Sequence, residues 1–187
     1  MKIIILSLIS FFIFTGCSVK YDIVALDTNN NIEVKKTDPK TIQNIEQLSQ
    51  MIQNLSPQIT KQEANDVANK SIYYAMYLAN SYDLVAPPSF QNFLVNQNQR
   101  ERGLCHHWVS DILTYLKTQD YPTLGIYEVV ANQGSYFYEH HAISITAKGR
   151  PFDEGIVLDA WRNSGKMFFS YIKDDMDYKW VERRRVR

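Results

Sequence analysis

A chain of 187 residues is long enough for one domain with a proper hydrophobic core and barely long enough for two. Its twenty basic and twenty acidic residues cancel, so no net field selects DNA, RNA or an acidic lipid surface, and no nucleic-acid partner is expected. With 45% apolar residues and only 7 glycines the composition is globular, and it carries no repeat at solenoid periods.

The N-terminus bears on the compartment. Lys2 precedes a charge-free apolar run over residues 3–14, followed by Thr15-Gly16-Cys17. That run falls short of the roughly 20 residues a membrane span needs, but it fits the apolar region of a secretory signal. Phe14-Thr15-Gly16-Cys17 resembles the bacterial lipobox, with Phe14 where Leu is usual. The resemblance implies a lipoprotein signal peptide over residues 1–16, a palmitate-type lipid on Cys17 and a membrane tether. Ser18 does not match the Asp linked with inner-membrane retention, so the implied location is the bacterial cell envelope, at the outer membrane facing the periplasm. A plain signal peptide cut nearby is the alternative. Lipidation of Cys17 leaves Cys105 as the single thiol in an oxidising compartment, either buried as a small hydrophobe or kept for its chemistry. A Cys17–Cys105 disulfide is the competing reading.

Residues 17–37 read as a lipidated N-terminus followed by a tether or a short hairpin, because residues 21–26 and 32–34 flank the turn-prone Asp27-Thr28-Asn29-Asn30-Asn31. Residues 38–187 form one expected α+β domain. Asp38-Pro39 starts a helix whose Ile42, Ile45, Leu48, Ile52 and Leu55 keep helical spacing. Thr60-Lys61-Gln62-Glu63 is a capping box opening a second helix that runs to about Tyr82. These two helices, residues 38–82, read as scaffold. Pro87-Pro88 breaks the chain, Ser89 caps a short helix, and Gly103 leads into a helix headed by Cys105. After Pro122 the period changes to two: strands are expected over 124–130, 141–146 and 156–160, with a fourth over 167–172. Short turns imply antiparallel pairing. Helices first and a meander afterwards place the Cys105 helix on the sheet, over residues 89–187. The C-terminal Arg183, Arg184, Arg185 and Arg187 read as a solvated tail.

Cys105 is the first chemical candidate. A thiol at a helix N-terminus meets the positive end of the macrodipole and unpaired backbone donors, which favour thiolate and can also hold an oxyanion. The four histidines lie in two pairs, His106-His107 and His140-His141. Strand neighbours point to opposite faces, so only one of His140 and His141 looks toward the thiol; His141 shares a face with Ile143 and Ile145 and is the expected general base and acid. Asp159 ends an apolar strand and can orient the imidazole, although alone it also reads as a turn former. Gln99, six residues before Cys105, can donate to an oxyanion, with Gln97 as its substitute.

Gly103-Leu104-Cys105, His141-Ala142 and Val157-Leu158-Asp159, in the order Cys, His, Asp, resemble the papain-like superfamily and within it the bacterial transglutaminase-like cysteine proteinases. The Gln99-to-Cys105 spacing is similar to that of papain's oxyanion glutamine. His106 stands where papain-type enzymes carry an aromatic, and the Asp-Cys-Ser-Gly signature of NlpC-type peptidases is absent. The resemblance spans residues 97–161. It implies a papain-like fold and a cysteine hydrolase or transamidase acting on a peptide or protein amide, without a cofactor. A non-catalytic lipoprotein keeping the same shell is one rival. The other is a metal site drawn from Cys105, His106 or His107, His141 and Asp159, which no His-x-x-x-His or Cys-x-x-Cys spacing supports.

Overall fold

The computed structural model describes residues 16–187. The expected signal segment over residues 1–16 lies outside them except for Gly16. The described chain is an α+β fold with four helices and antiparallel sheets.

The N-terminal region is a packed part of the domain. Strand β1 (Cys17–Ser18) is followed by the hairpin β2 (Val24–Leu26) and β3 (Ile32–Val34), in which Val24 pairs with Val34. The Asp27 carboxylate accepts from the Asn29 and Asn31 backbone N–H groups, each at 2.8 Å, and closes the turn. Val24 is buried in the main core, and the Tyr21 hydroxyl donates to the Ser164 carbonyl at 2.9 Å. The tether reading of residues 17–37 therefore gives way to the hairpin reading, because the apolar residues of this segment have a core to enter.

Helix α1 (Pro39–Gln53) is capped by Asp38, which accepts from the Thr41 N–H at 2.8 Å. Helix α2 (Lys61–Ser81) is capped by Thr60, whose hydroxyl accepts from the Glu63 N–H at 3.1 Å. The other half of the expected capping box is used differently. The Glu63 carboxylate accepts from the Thr123 N–H and hydroxyl, tying α2 to the entrance of the sheet. Strand β4 (Val85–Ala86) pairs with β1, setting Cys17 opposite Ala86. Helix α3 (Pro88–Asn96) starts one residue before the Ser89 cap expected for it, with Pro88 in the first turn where its missing N–H loses no bond. Helix α4 (Cys105–Lys117) carries the thiol at its first position.

Strands β5 (Leu124–Ala131), β6 (His140–Ala147), β7 (Ile156–Asp159), β8 (Phe168–Tyr171) and β9 (Trp180–Arg185) form one antiparallel sheet in the order β8-β7-β6-β5-β9. Arg183, Arg184 and Arg185 are thus strand rather than tail, and Arg187 beyond the strand pairs with Asp120 at 2.9 Å. Arg183 and Arg184 reach the Glu128 carboxylate on β5 at 3.3 and 2.7 Å, so that strand's acidic residue has partners on its neighbour.

The sheet is covered on both faces. Ile126, Ile143, Ile145, Ile156 and Leu158 enter the core shared with α2 and α4. Val129, Ala131, Ala142, Val157 and Trp180 face a second, smaller cluster. Every residue of β5, β6 and β7 is buried as a result, which explains why these strands lack a strict polar–apolar alternation.

Candidate active site

The thiol is placed by the loop that enters α4. Gly103 has φ +129°, and a Cβ there would lie 2.5 Å from the Gln91 side chain, so the position needs glycine on both counts. Gln91 is fully buried. It accepts from the Val85 N–H at 3.0 Å and donates to the Arg102 carbonyl at 2.8 Å, which binds the loop to β4 and α3. Trp108 donates its indole N–H to the Gly103 carbonyl at 3.0 Å, and Arg102 pairs with Asp111 one helical turn further on. His107 caps the start of the helix: its Nδ1 accepts from the Gly103 and Leu104 N–H groups at 3.2 and 3.3 Å. Burial, with the nearby His106 and Arg102, brings its pKa down to about 4, so at neutral pH the ring is a neutral acceptor. The N–H groups of Cys105 and His106 open the helix and have no acceptor within it.

Half-buried Cys105 meets the entry end of β6. Strand β7 pairs only with Ile143, Ser144 and Ile145, so the edge of β6 before Ile143 is left to the thiol. The Sγ atom lies 3.9 Å from the Glu139 carbonyl, and the nearby His141 backbone N–H helps to favour its charged form. The His106 and His140 side chains lie close enough to act on its charge. Burial alone would push the thiol up. The two imidazoles, the charge of His140 and the His141 N–H outweigh it and bring the pKa from 9.0 to about 6.

His140 is the imidazole that joins the thiol to a carboxylate. Its Nε2 lies 2.7 Å from Asp159 Oδ2, which leaves Nδ1 for Cys105. Both His140 and Asp159 are buried, at 3% and 2% exposure. Burial disfavours the imidazolium, but Asp159 and Cys105 overcome that and raise the pKa to about 9. The two shifts run in the same sense, each group favouring the charged form of the other, toward a thiolate–imidazolium pair. The ring is boxed by Tyr178, Trp161 and Trp180, with centroids at 4.6, 4.9 and 5.6 Å. Trp161 is itself fixed by its indole N–H donating to Asn92 of α3 at 3.0 Å.

His141, expected as the base, is engaged by carboxylates instead. Its Nδ1 is 3.2 Å from Glu128 and its Nε2 2.9 Å from Glu139, and both carboxylates are further paired with Arg183. Both ring nitrogens are occupied, so none is left for the thiol. The parity of the strands carried the signal. Ile143 and Ile145 face the helices, as do Ile156 and Leu158 on β7, so Asp159 must face the opposite side. A histidine that meets Asp159 must be out of step with Ile143, and that residue is His140. His141 keeps a backbone role at the thiol and no side-chain role there.

Gln99 does not join the site. Its side chain is exposed and makes no hydrogen bond among the described residues, and Gln97 is likewise exposed. The chain turns back over α3 here, where the Gln99 N–H donates to the Leu94 carbonyl at 2.9 Å. Donors for an oxyanion come instead from the first turn of α4. Both cysteines are free, so the disulfide reading is not realised.

Arg162 and the Tyr178–Trp180 pair were invisible in the sequence as site residues, because neither the turn after Asp159 nor the segment after Tyr171 gave a reason to place them at the thiol. Among the described residues no group of three or more His, Cys, Asp and Glu side chains is arranged to hold a metal ion. The arrangement brings together a thiol whose charged form is favoured, an imidazole, a carboxylate paired with that imidazole and a helix N-terminus. No protein family, curated protein or solved structure matches this chain.

Proposed function

We propose that the protein is a cysteine-nucleophile hydrolase or transamidase acting on amide bonds, of the papain-like, transglutaminase-like type, held in the bacterial envelope by a lipid on Cys17. The observation that carries this reading is the convergence of Cys105, His140 and Asp159, with His140 Nε2 2.7 Å from Asp159 Oδ2 and His140 close enough to the thiol for each to shift the other's pKa. The Cys105 thiolate attacks the amide carbon, forming a C–S bond as the carbonyl electrons move to oxygen. The N–H groups of Cys105 and His106 stabilise that oxyanion. Collapse breaks the C–N bond, and the His140 imidazolium gives its proton to the leaving amine. Water or a second amine then attacks the thioester, His140 removes its proton, and the thiolate is regenerated.

Two further features support the anchored, polypeptide-directed form of this reading. The Cys17 side chain is exposed on β1, where a lipid can attach without displacing the core. The loop leading to Glu139, whose carbonyl meets the thiol, leaves Tyr136, Phe137 and Tyr138 exposed, a surface on which a polypeptide substrate can lay apolar side chains. One observation favours the non-catalytic rival: the exposed Gln99 leaves the oxyanion to backbone donors alone. The test is a panel of fluorogenic peptidyl amides with mass spectrometry of Cys105. Amine release with a transient acyl adduct on Cys105, both absent in Cys105→Ala, is the expected result. No release across the panel, or equal release by the Ala variant, contradicts it.

A further inference from the structure

The carboxylate end of this line does not stop at Asp159. The Oδ2 oxygen that His140 uses is also 3.1 Å from Arg162 Nε, and Oδ1 accepts the Trp161 and Arg162 backbone N–H groups at 3.0 and 3.1 Å. Arg162 is in turn clamped at its far end. Its two terminal nitrogens reach the two oxygens of Asp175 at 3.2 and 2.8 Å, and Nη1 also reaches the exposed Asp177 at 3.2 Å. Asp175 is held by the Trp180 indole N–H at 2.9 Å and the Asp177 N–H at 3.2 Å. The guanidinium lies 3.8 Å from the centroid of the Phe168 ring and 4.8 Å from that of Tyr178. Arg162 thus has a fixed position set from β8, from the segment before β9 and from β9 itself.

This arrangement has a charge argument behind it. Asp159 and Asp175 are both buried, and a buried carboxylate without a cation is strongly disfavoured. His140 answers only one of them. A planar, always-charged fork that spans both carboxylates fits the need better than an ammonium point charge.

We propose that Arg162 is a positioning residue for the Cys105–His140–Asp159 line, fixing the Asp159 oxygen that orients His140 and supplying the positive charge that lets this buried cluster hold a thiolate. The proposal rests on the cysteine-nucleophile reading above. The charged and titratable groups concerned are Asp159, Asp175, Asp177 and Tyr178 around Arg162, Asp159, Cys105 and Tyr178 around His140, and His106 and His140 around the thiol. Removing one positive charge from this set makes every proton in it harder to lose.

The test is the pH dependence of iodoacetamide alkylation at Cys105, with ¹⁵N NMR titration of His140, in the wild type, Arg162→Met and Arg162→Lys, each with its melting temperature. The Met variant is expected to move both midpoints up by about one unit, cutting the alkylation rate at pH 6 about fivefold. The Lys variant is expected to keep the wild-type alkylation midpoint but to lose protection of the His140 Nε2–H, since it restores charge without the fork. A merely structural Arg162 would lower the melting temperature and leave both midpoints in place, which overturns the proposal. If the Met variant does not fold, the Lys variant decides: a shifted midpoint, or wild-type behaviour in both readouts, contradicts the proposal. A wild-type thiol that alkylates only near pH 8.5 would instead defeat the proposed function itself.

Discussion

Two histidines adjacent in sequence end in two opposed settings. His140 bridges a thiol and one carboxylate inside an aromatic box, whereas His141 bridges two carboxylates that arginines on β9 also hold. Both imidazoles are buried and both touch Asp or Glu, so burial and an acidic neighbour do not single out the histidine that faces the thiol. The separating feature is what remains on the second ring nitrogen. For His140 that is Cys105; for His141 it is another carboxylate.

The comparison can be broken from the top down. Cys105→Ala should abolish both amide turnover and alkylation, leaving no residual covalent adduct. His140→Ala should lower turnover by roughly 10²–10⁴-fold, while His141→Ala should lose less than about tenfold, since its backbone N–H stays with the thiol. Equal losses in kcat/KM for the two would erase the distinction drawn between them. Asp159→Asn should act on the alkaline side. It removes the carboxylate that helps raise His140, so the imidazole midpoint should fall from about 9 toward its ordinary value of 6.5, as read by NMR titration. An unmoved midpoint would mean that Asp159 does not set the charge of the ring.

Gly103→Ala tests the loop rather than the chemistry. Strain at φ +129° and the contact with Gln91 should lower stability by roughly 1–3 kcal/mol in urea unfolding. A neutral substitution would show that the entry to α4 is looser than its contacts imply. The smallest effect belongs to Gln99→Ala. With its side chain in solvent, kcat should stay within about twofold, and a large loss would return Gln99 to the oxyanion.

Much of the scaffold was legible in the sequence. Asp38-Pro39 and Thr60 sit where helices must begin, and both cap as their side-chain chemistry dictates. The thiol helix follows from Gly103 and from the spacing of Trp108, Ile112 and Leu116, all of which are buried. The identity of the histidine was within reach but needed strand parity applied to β6 and β7 together, because Asp159 and His141 occupy opposite phases. The Arg162 clamp was not legible. It depends on Asp175 and Trp180 returning beside the site through a strand made of Trp180, Val181, Glu182 and three arginines, whose charge reads as solvent-facing until Glu128 is seen across the ladder. Glu63 taught the same lesson on a smaller scale, since a tertiary partner at Thr123 displaced the local cap.

The most direct test of the account is the pH profile of Cys105 alkylation by iodoacetamide in the wild type, His140→Ala and His141→Ala. The account predicts a wild-type midpoint near 6, movement toward about 8.5 in His140→Ala, and a profile in His141→Ala that stays close to the wild type. A wild-type midpoint near 8.5, or a shift produced by His141→Ala and not by His140→Ala, would contradict it.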